Sequence, residues 1–196
     1  MKKIMFNDRF GLTQAVLEGR KTQTRRVISV NFYNRVNWKY FEEGHNDCII
    51  DDDISILDCG NYQVDEVVAI AQSYQDCGYD GNDYITVGDG YSRVKYYAGW
   101  TNKMFVRAKA MKHHIKITNV RVERLQDISE EDCIAEGIEK GDFTNTWDTF
   151  FFREGQNYIT AKTARIAYSK LIDKVGKKGT WESNPWVFVY DFELVD

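Results

Sequence analysis

The chain has 196 residues, of which 43% are hydrophobic and 14% aromatic. This composition is sufficient to fill the core of one ordinary domain, and it excludes a chain that is disordered throughout. The formal net charge of −4 argues against a tight, non-specific binder of duplex nucleic acid. No apolar run approaches the length of a membrane-spanning helix, and the basic N-terminus lacks the apolar region of a signal peptide. We therefore expect a cytoplasmic protein that does not engage a membrane.

Charge is distributed in blocks along the chain. Residues 1–41 contain nine Lys or Arg and two acids, residues 42–90 contain thirteen acids and no Lys or Arg, and residues 91–121 contain eight Lys or Arg and no acid. Blocks of opposite sign can simply pair with one another in the fold. Alternatively, the two basic blocks converge on one surface and form a local anion site on an acidic protein, which is the interpretation we favour.

Metal binding has little support in the sequence. The four cysteines form no C-x-x-C pair. A zinc site would have to use ligands whose spacing matches no standard pattern, namely His45, Cys48, Cys59 and Cys77. The acidic run 51–53 could bind a divalent cation, although an exposed acidic turn is the more common structure. We expect reduced thiols, no bound metal and no cofactor.

A first helix is predicted over residues 9–18, with Asp8 as its N-cap and Gly19 in the left-handed conformation that ends helices. A basic cluster follows directly, with the sequence Gly19-Arg20-Lys21-Thr22-Gln23-Thr24-Arg25-Arg26. Its N–H donors and hydroxyls suit a phosphate or the polar edge of a nucleobase. The alternative is a solvated basic turn whose cations complement the helix dipole. A short strand is predicted next, over residues 27–30.

The middle of the chain is predicted to alternate loops and strands. Residues 31–62 lack periodicity and indicate an insertion, and residues 74–102 have the Gly, Asp and Tyr content of a loop. Strands are predicted within 64–73 and over 103–108 and 115–125. His114 adjoins the last strand and is a candidate substrate contact, although a structural role is more common for such a residue.

A short helix is predicted from Ser129 to Gly137. Ser129 begins the capping-box pattern Ser-Glu-Glu-Asp, and Gly137 ends the helix. The acids at 130–132 have a simple explanation, because negative charge is favourable at the N-terminal end of a helix. Glu136 lies at the opposite end, where a negative charge is unfavourable, so this carboxylate needs a cationic partner or a function.

The C-terminal part of the chain contains two strongly patterned elements. Apolar residues at helical spacing predict a helix from Thr160 to about Val175, and alternation over residues 186–194 predicts a long strand that forms a main wall of the core. Residues 141–159 are predicted to be a loop. Its aromatic residues, Trp147 and Phe150-Phe151-Phe152, can stack on nucleobases or, more commonly, cover one edge of the core. Together the elements predict an α+β domain around a small mixed β-barrel.

Three segments carry a family resemblance. Gly19-Arg20-Lys21-Thr22-Gln23-Thr24-Arg25, after a short helix, resembles the first seven positions of the G-R-K-T-x-T-x-R signature of the ASCH domain family. The block 120–137 and the closing segment 184–189 also resemble ASCH proteins, particularly those of bacterial prophages and Bacteroides-type genomes. The resemblance implies a PUA-like β-barrel and a single ASCH domain over residues 1–196. Relative to a minimal domain, insertions would lie at about 31–62, 74–100 and 141–159.

The resemblance also implies a partner, which is RNA or a modified, cytidine-like nucleoside bound in a basic pocket. A bacterial subgroup of the family hydrolyses the amide of N4-acetylcytidine with a Lys and a Thr of the signature and a later Glu. Matched motif by motif, these residues are Lys21, Thr24 and Glu136, with Glu130 or Glu131 as alternatives to Glu136. Lys21 would be the nucleophile or oxyanion donor, Thr24 would position or relay a proton, and Glu136 would be the general acid and base.

The residues implied in binding are Arg20, Thr22, Arg25, Arg26 and His114, with Arg20 and Arg25 on the ribose or a phosphate. Three functions stay open at this point. Binding of RNA or a nucleoside without chemistry is favoured, and amide hydrolysis is the second. The third is a regulatory protein of a phage or mobile element that acts through protein contacts, for which the acidic segment 42–90 is the only support. The sequence leaves the base and the oligomeric state open.

Overall fold

The structure, a computed structural model, describes residues 1–50, 54–141 and 149–195. The strands are β1 (Lys3–Ile4), β2 (Gln23–Val27), β3 (Val67–Ile70), β4 (Tyr84–Val87), β5 (Gly90–Arg93), β6 (His114–Arg124), β7 (Glu139–Gly141), β8 (Thr149–Glu154), β9 (Asn157–Ala161) and β10 (Trp186–Leu194). The α-helices are α1 (Leu12–Leu17), α2 (Val30–Tyr33), α3 (Trp38–Glu42), α4 (Glu130–Ala135), α5 (Ala164–Val175) and α6 (Thr180–Ser183). Turns of 3-10 helix occur at Asp8–Phe10, Ile56–Cys59, Val94–Tyr96, Ala98–Trp100, Lys103–Phe105, Ala108–Ala110 and Leu125–Asp127.

The fold is α+β, as the sequence predicts, and the chain divides into two compact units. Unit 1 comprises Met1–Phe6, Val67–Lys116 and Leu194–Asp196, and unit 2 comprises Asn7–Glu66 and Ile117–Glu193. The predicted small barrel does not appear in the described ranges, because each of their sheets keeps open edges and none closes on itself. Among the same residues, no helix has both the length and the apolar character needed to cross a membrane.

Unit 1 is built on the strand order β1-β3-β6. β1 runs parallel to β3, with Ile4 opposite Ile70, and β3 runs antiparallel to β6, with Val68 opposite Ile115. All four of these side chains are fully buried. The apolar strand predicted within 64–73 is therefore confirmed as a central strand.

Two other predictions in unit 1 are wrong. The segment predicted as a loop over 74–102 contains the β4-β5 hairpin, whose turn uses Gly88 at a φ of +56°. The strand predicted over 103–108 is instead a pair of 3-10 turns. The Lys3 ammonium donates to three carbonyls of this region, at 3.2, 2.7 and 2.9 Å. A half-buried lysine thus satisfies carbonyls that a strand would have paired in a sheet.

Unit 2 contains the strand order β6-β10-β2. β10 is antiparallel to β2, with Val189 opposite Arg25 and Tyr190 opposite Thr24. Residues 186–190 are all buried, so the long predicted strand is confirmed but is covered on both faces rather than on one. The predicted strand over 115–125 is confirmed as β6.

The second sheet of unit 2 has the order β7-β8-β9 and packs against α5. It occupies much of the segment predicted as a loop over 141–159, which corrects that prediction. Phe152 is fully buried in β8, and its ring meets the ring of Phe10 edge-on at 6.1 Å. The aromatic run 150–152 therefore serves the core. Trp147 lies outside the described residues.

The start of unit 2 departs from the sequence prediction in a way that matters for function. The first helix is interrupted at Gly11, which separates a 3-10 turn capped by Asn7 from α1. The strand predicted over 27–30 is wrong beyond Val27, because β2 lies earlier in the chain and covers the second half of the basic cluster, residues 23–26. That half of the cluster is therefore an edge strand rather than a solvated turn. The two later helices, α4 and α5, are confirmed with Ser129 and Thr163 as their N-caps.

Candidate functional site

Lys21 is positioned by the C-terminal end of α1. Gly19 has a φ of +70° and donates its N–H to the carbonyl of Val16 at 2.9 Å. The N–H groups of Arg20 and Lys21 both donate to the carbonyl of Ala15 at 2.9 Å. The Gly19 and Arg20 bonds form a Schellman motif, which satisfies the last carbonyls of the helix and reverses the chain. Lys21 consequently points back across the end of its own helix.

Glu136 is held at the end of α4 by the same type of turn. Gly137 has a φ of +102° and donates to the carbonyl of Ile134 at 2.8 Å. The N–H of Ile138 donates to the carbonyl of Cys133 at 3.2 Å. Both glycines end their helices as the sequence predicts, and each fixes the backbone beside one candidate catalytic residue.

Lys21 and Glu136 form a buried ion pair. The Lys21 Nζ lies 2.5 Å from the Glu136 Oε2, and the two side chains are 2% and 6% exposed. Nζ also donates to the backbone carbonyls of Glu136 at 2.8 Å and Gln23 at 2.7 Å. Three acceptors match the three hydrogens of an ammonium group, so the geometry is that of a protonated lysine. Glu136 thus has the cationic partner that its place at a helix C-terminus requires.

Two electrostatic effects act on the pKa of Lys21 in opposite directions. Burial lowers the pKa of Lys21, while the Glu136 carboxylate acts to raise it. The Glu136 carbonyl that Lys21 contacts is at the negative end of α4, which further favours the ammonium form. The result is a desolvated lysine in direct contact with a carboxylate, which is a pair able to exchange a proton.

Arg25 supports Glu136 from the other side. Its side chain is fully buried, and its Nη1 donates to the Glu136 Oε1 at 3.3 Å and to the Gln23 side-chain oxygen. Its Nη2 lies 2.5 Å from the Glu123 Oε1 and 2.8 Å from the Asp132 Oδ2. One guanidinium therefore holds three carboxylates in a fixed arrangement.

A second arginine, Arg121, completes the network on its partly exposed side. Arg121 donates to Glu123 at 3.1 Å, to Asp132 at 3.0 Å and to Asp191 at 2.6 Å. The Gln23 amide also donates to Asp191, at 2.6 Å. Burial alone would raise the pKa of Asp132, but hydrogen bonds from Arg25 and Gln23 outweigh it and the pKa lies below its usual value.

The basic residues of this region are neutralised by the protein itself. The network joins three cations to four carboxylates: Lys21, Arg25 and Arg121 to Glu123, Asp132, Glu136 and Asp191. Arg20 is more exposed, but it lies 2.5 Å from Glu18 and 3.5 Å from Glu139. The predicted convergence of two basic blocks does bring Arg25 and Arg121 together, yet carboxylates rather than a bound anion meet them.

Two further residues of the basic cluster, Thr24 and Arg26, lie on the other face of β2. Alternation along β2 places the Thr24 side chain on the face opposite to Gln23 and Arg25, across from Tyr190 on β10. Arg26 shares that second face and is partly exposed. The grouping of Lys21 with Glu136 thus has direct geometric support, whereas Thr24 is buried on the other side of the strand.

Two predicted binding residues occupy other positions. Thr22 is exposed, and its backbone links α4 to the sheet by donating to the Ala135 carbonyl and accepting from the Phe192 N–H, each at 2.9 Å. His114 is the first residue of β6, pairs with Ala69 and belongs to unit 1. Of the two alternatives to Glu136, Glu130 accepts the Ala164 N–H at 2.7 Å as a cap of α5, and Glu131 is exposed.

A polar cavity of about 230 Å³ lies along α1 and beside the turn that follows α4. Its lining includes Arg20 and Gly137, which are the sequence neighbours of Lys21 and Glu136, together with Glu139, Arg153 and Tyr158. A Cβ atom built at position 137 would lie 3.6 Å from the Lys21 side chain. It would also lie 3.4 Å from the Leu12 side chain, so a larger residue at this position would press on both neighbours.

Sequence reasoning missed the carboxylates and the amide that surround Arg25. Asp132 has two roles, because its N–H bonds to the Ser129 cap while its side chain binds Arg25 and Arg121. The helix-dipole explanation for this acid was therefore incomplete. The available signal was the alternation of Gln23 and Arg25, which becomes informative only once β2 is recognised as a strand.

The turn at Gly19 gives a first testable prediction. A Cβ at this position would meet no atom within 4 Å, so Gly19→Ala should be destabilising only through the positive φ, by about 1 kcal/mol. Gly19→Asn should lose less stability, because Asn adopts a positive φ more readily than Ala. Urea unfolding of both variants measures the difference, and equal losses would contradict a backbone cause.

The metal interpretations gain no support from the part of the chain that is described. None of the four cysteines forms a disulfide, and no group of three or more His, Cys, Asp or Glu residues in the described ranges is arranged to hold a metal ion. The acidic run 51–53 lies outside the described residues.

The arrangement at Lys21 combines a desolvated ammonium, a carboxylate and an arginine that orients the carboxylate. Such a set can bind a polar group, or it can move protons to and from a reacting group. Comparison of the chain with protein-family models, with curated proteins and with solved structures found no match, so the site is interpreted from its own chemistry.

Proposed function

We propose that this protein is an amidohydrolase that removes the acyl group from N4-acetylcytidine-like nucleosides. The observation that carries the proposal is the buried contact of 2.5 Å between the Lys21 Nζ and the Glu136 Oε2. A surface salt bridge would have little significance, but a lysine and a glutamate that are both withdrawn from water are costly to maintain. The PUA-like ASCH assignment is part of the same proposal, and its support is the signature motif.

The proposed reaction uses one water molecule. Glu136 takes a proton from water, the water oxygen forms a bond to the acyl carbon, and the negative charge that develops on the carbonyl oxygen is stabilised by the Lys21 ammonium. Glu136 then returns the proton to N4 as the C–N bond breaks. The products are a free carboxylic acid and the cytosine amine, so atoms and charge balance.

Arg25 has a positioning role in this scheme. Its Nη1 contacts the Glu136 Oε1 at 3.3 Å, while its other nitrogens are fixed by Glu123 and Asp132. A carboxylate held on two sides loses little orientational freedom during the reaction. Arg25 would therefore act on the rate through the orientation of Glu136 rather than by contact with substrate.

Binding of RNA or a modified nucleoside without chemistry is the second candidate. One observation favours it, because all three hydrogens of the Lys21 ammonium already have protein acceptors. A lysine in this state could serve as a structural centre beside the polar cavity. The neutralised arginines argue against a long phosphate-tracking surface and favour a small ligand.

The deciding experiment is incubation of the purified full chain with N4-acetylcytidine, with acetate and cytidine quantified by chromatography. We compare wild type with Lys21→Met and Glu136→Gln, which preserve side-chain size. Matched controls are Lys39→Met, an exposed lysine on α3, and Glu131→Gln, an exposed glutamate on α4. Circular dichroism verifies that each variant is folded.

Turnover by the wild type and by both controls, with a loss of at least about 10²-fold in the two site variants, is the expected result. Turnover that survives Lys21→Met would contradict the catalytic assignment. A folded wild type that leaves N4-acetylcytidine and other N4-acylated cytosines intact, yet binds them, would establish the second candidate instead.

A further inference from the structure

The hydroxyl of Tyr168 is a buried polar group without a partner. Tyr168 lies on α5 and is 2% exposed, and its ring meets the ring of Trp181 edge-on at 6.3 Å. Within residues 1–50, 54–141 and 149–195, its hydroxyl oxygen makes no hydrogen bond. The tyrosine is therefore fixed in place with its polar end unsatisfied.

The Tyr168 hydroxyl interacts electrostatically with Glu136 and Arg25. Helix α5 packs against α4, which carries Glu136 at its end. Burial raises the pKa of Tyr168 well above its usual value, and the Glu136 carboxylate raises it further, while Arg25 opposes both. The hydroxyl thus stays protonated and available as a donor over the working pH range.

Glu136 has an oxygen with spare hydrogen-bonding capacity. Its Oε2 accepts from Lys21 at 2.5 Å, whereas the Oε1 accepts a single bond from Arg25 at 3.3 Å. A carboxylate oxygen can accept two hydrogen bonds, so Oε1 has room for another donor. The unsatisfied donor and the under-satisfied acceptor therefore belong to two helices that pack against each other, with Tyr168 on α5 and Glu136 at the end of α4.

A buried hydroxyl that lacks a partner is unfavourable, and proteins usually satisfy such groups with an internal water that makes two to four hydrogen bonds. We propose that the Tyr168 hydroxyl and the Glu136 Oε1 together bind one buried water molecule, and that this water is the nucleophile of the hydrolysis. The second half of this inference rests on the proposed amidohydrolase function, while the first half does not.

Tyr168 gains a specific role from this assignment. Its hydroxyl accepts or donates one hydrogen bond to the water and keeps its own proton. Glu136 removes a proton from the water, and the water oxygen attacks the acyl carbon. The same proton is later delivered to the departing N4 amine. Lys21 is bound to the other carboxylate oxygen, and its ammonium would exchange one of its three protein acceptors for the developing oxyanion.

The test uses Tyr168→Phe, which removes one oxygen atom and keeps the ring. The matched control is Tyr190→Phe, since Tyr190 is also buried but its hydroxyl accepts the Asn61 N–H at 2.9 Å. Three quantities are measured on the full chain: the thermal midpoint, electron density for a water at Tyr168 in a high-resolution crystal structure, and kcat and KM on N4-acetylcytidine.

We expect a water within hydrogen-bond distance of both Tyr168 and Glu136 in the wild type and its loss in Tyr168→Phe. The thermal midpoint should fall in Tyr168→Phe, as in Tyr190→Phe, because each variant loses satisfied hydrogen bonds. The kcat of Tyr168→Phe should fall about 10²-fold with KM unchanged, whereas Tyr190→Phe should keep kcat.

Each half of the inference has its own refuting outcome. A rise in the thermal midpoint of Tyr168→Phe, with no density for a water, would show that the hydroxyl is unpaired and would overturn the water site. A bound water with an unchanged kcat in Tyr168→Phe would overturn its catalytic role. A wild type that binds the water but never turns over substrate would refute the amidohydrolase and leave the water site established.

Discussion

Replacement of Glu136 with alanine is expected to destabilise the protein by about 3–5 kcal/mol, because it leaves the buried Lys21 ammonium without its carboxylate. The lysine would keep its two backbone acceptors, but the charge would have no counter-ion on that side. Lys21→Met should lower the free energy of unfolding by less, because Glu136 still contacts Arg25. Urea unfolding at neutral pH measures both losses.

A double replacement separates the free-energy cost of leaving one buried charge unpaired from the contribution of the intact ion pair to stability. Lys21→Met combined with Glu136→Leu removes both charges and fills the space with apolar atoms, so we expect a smaller loss than in Glu136→Ala alone. Glu131→Ala, on the exposed face of α4, should change stability by no more than about 0.5 kcal/mol. If Glu136→Ala loses no more unfolding free energy than the control, the burial of the pair is refuted.

Replacement of Arg25 with methionine is the second large effect that we expect, again about 3–5 kcal/mol at neutral pH. Its guanidinium contacts three carboxylates, on Glu123, Asp132 and Glu136, and their mutual repulsion would be left unbalanced. Arg121→Met removes a more exposed arginine from the same network and should lose less, because solvent screens its partners.

The effect of Arg25→Met should depend on pH with a definite sign. In the wild type the pKa of Asp132 is depressed, so its contribution to stability is present above its unfolded-state pKa and is lost as the pH falls through the lower, folded-state pKa. Arg25 is one of the groups that hold this pKa low, so the difference in unfolding free energy between wild type and variant should narrow as the pH falls below about 4, where Asp132 becomes protonated. A difference that stays constant or widens in urea unfolding as the pH falls from about 4 to about 2 would contradict the assigned network.

Several features of the fold could be read from local sequence. Gly19 and Gly137 end their helices in the left-handed conformation because no other residue adopts it so readily, and this rule needs only a few neighbouring residues. The alternation of 186–194 identifies β10, and Ser129 identifies the start of α4 by its side chain. The positions of Lys21 and Glu136 beside the two glycines follow from the same rules.

Other predictions were wrong because the structure of those segments depends on contacts with distant parts of the chain, which the local sequence does not reveal. The segment 103–108 has strand-like composition, but Lys3 binds its carbonyls from about a hundred residues away. The aromatic run 150–152 looked like a loop because its partners, β7 and β9, are themselves weakly patterned. Tertiary packing outweighed propensity in both places.

The sequence by itself determined the α+β composition, the two glycine turns and the unfavourable charge at Glu136. Only the tertiary structure decided what that charge contacts, because its partners Lys21 and Arg25 lie 115 and 111 residues away along the chain and their pairing is set by strand register and helix packing. It also decided that Arg20, Lys21 and Arg25 of the basic cluster pair with carboxylates of the protein. The sequence gives the number of charged side chains, whereas their distances and burial in the fold decide which of them interact.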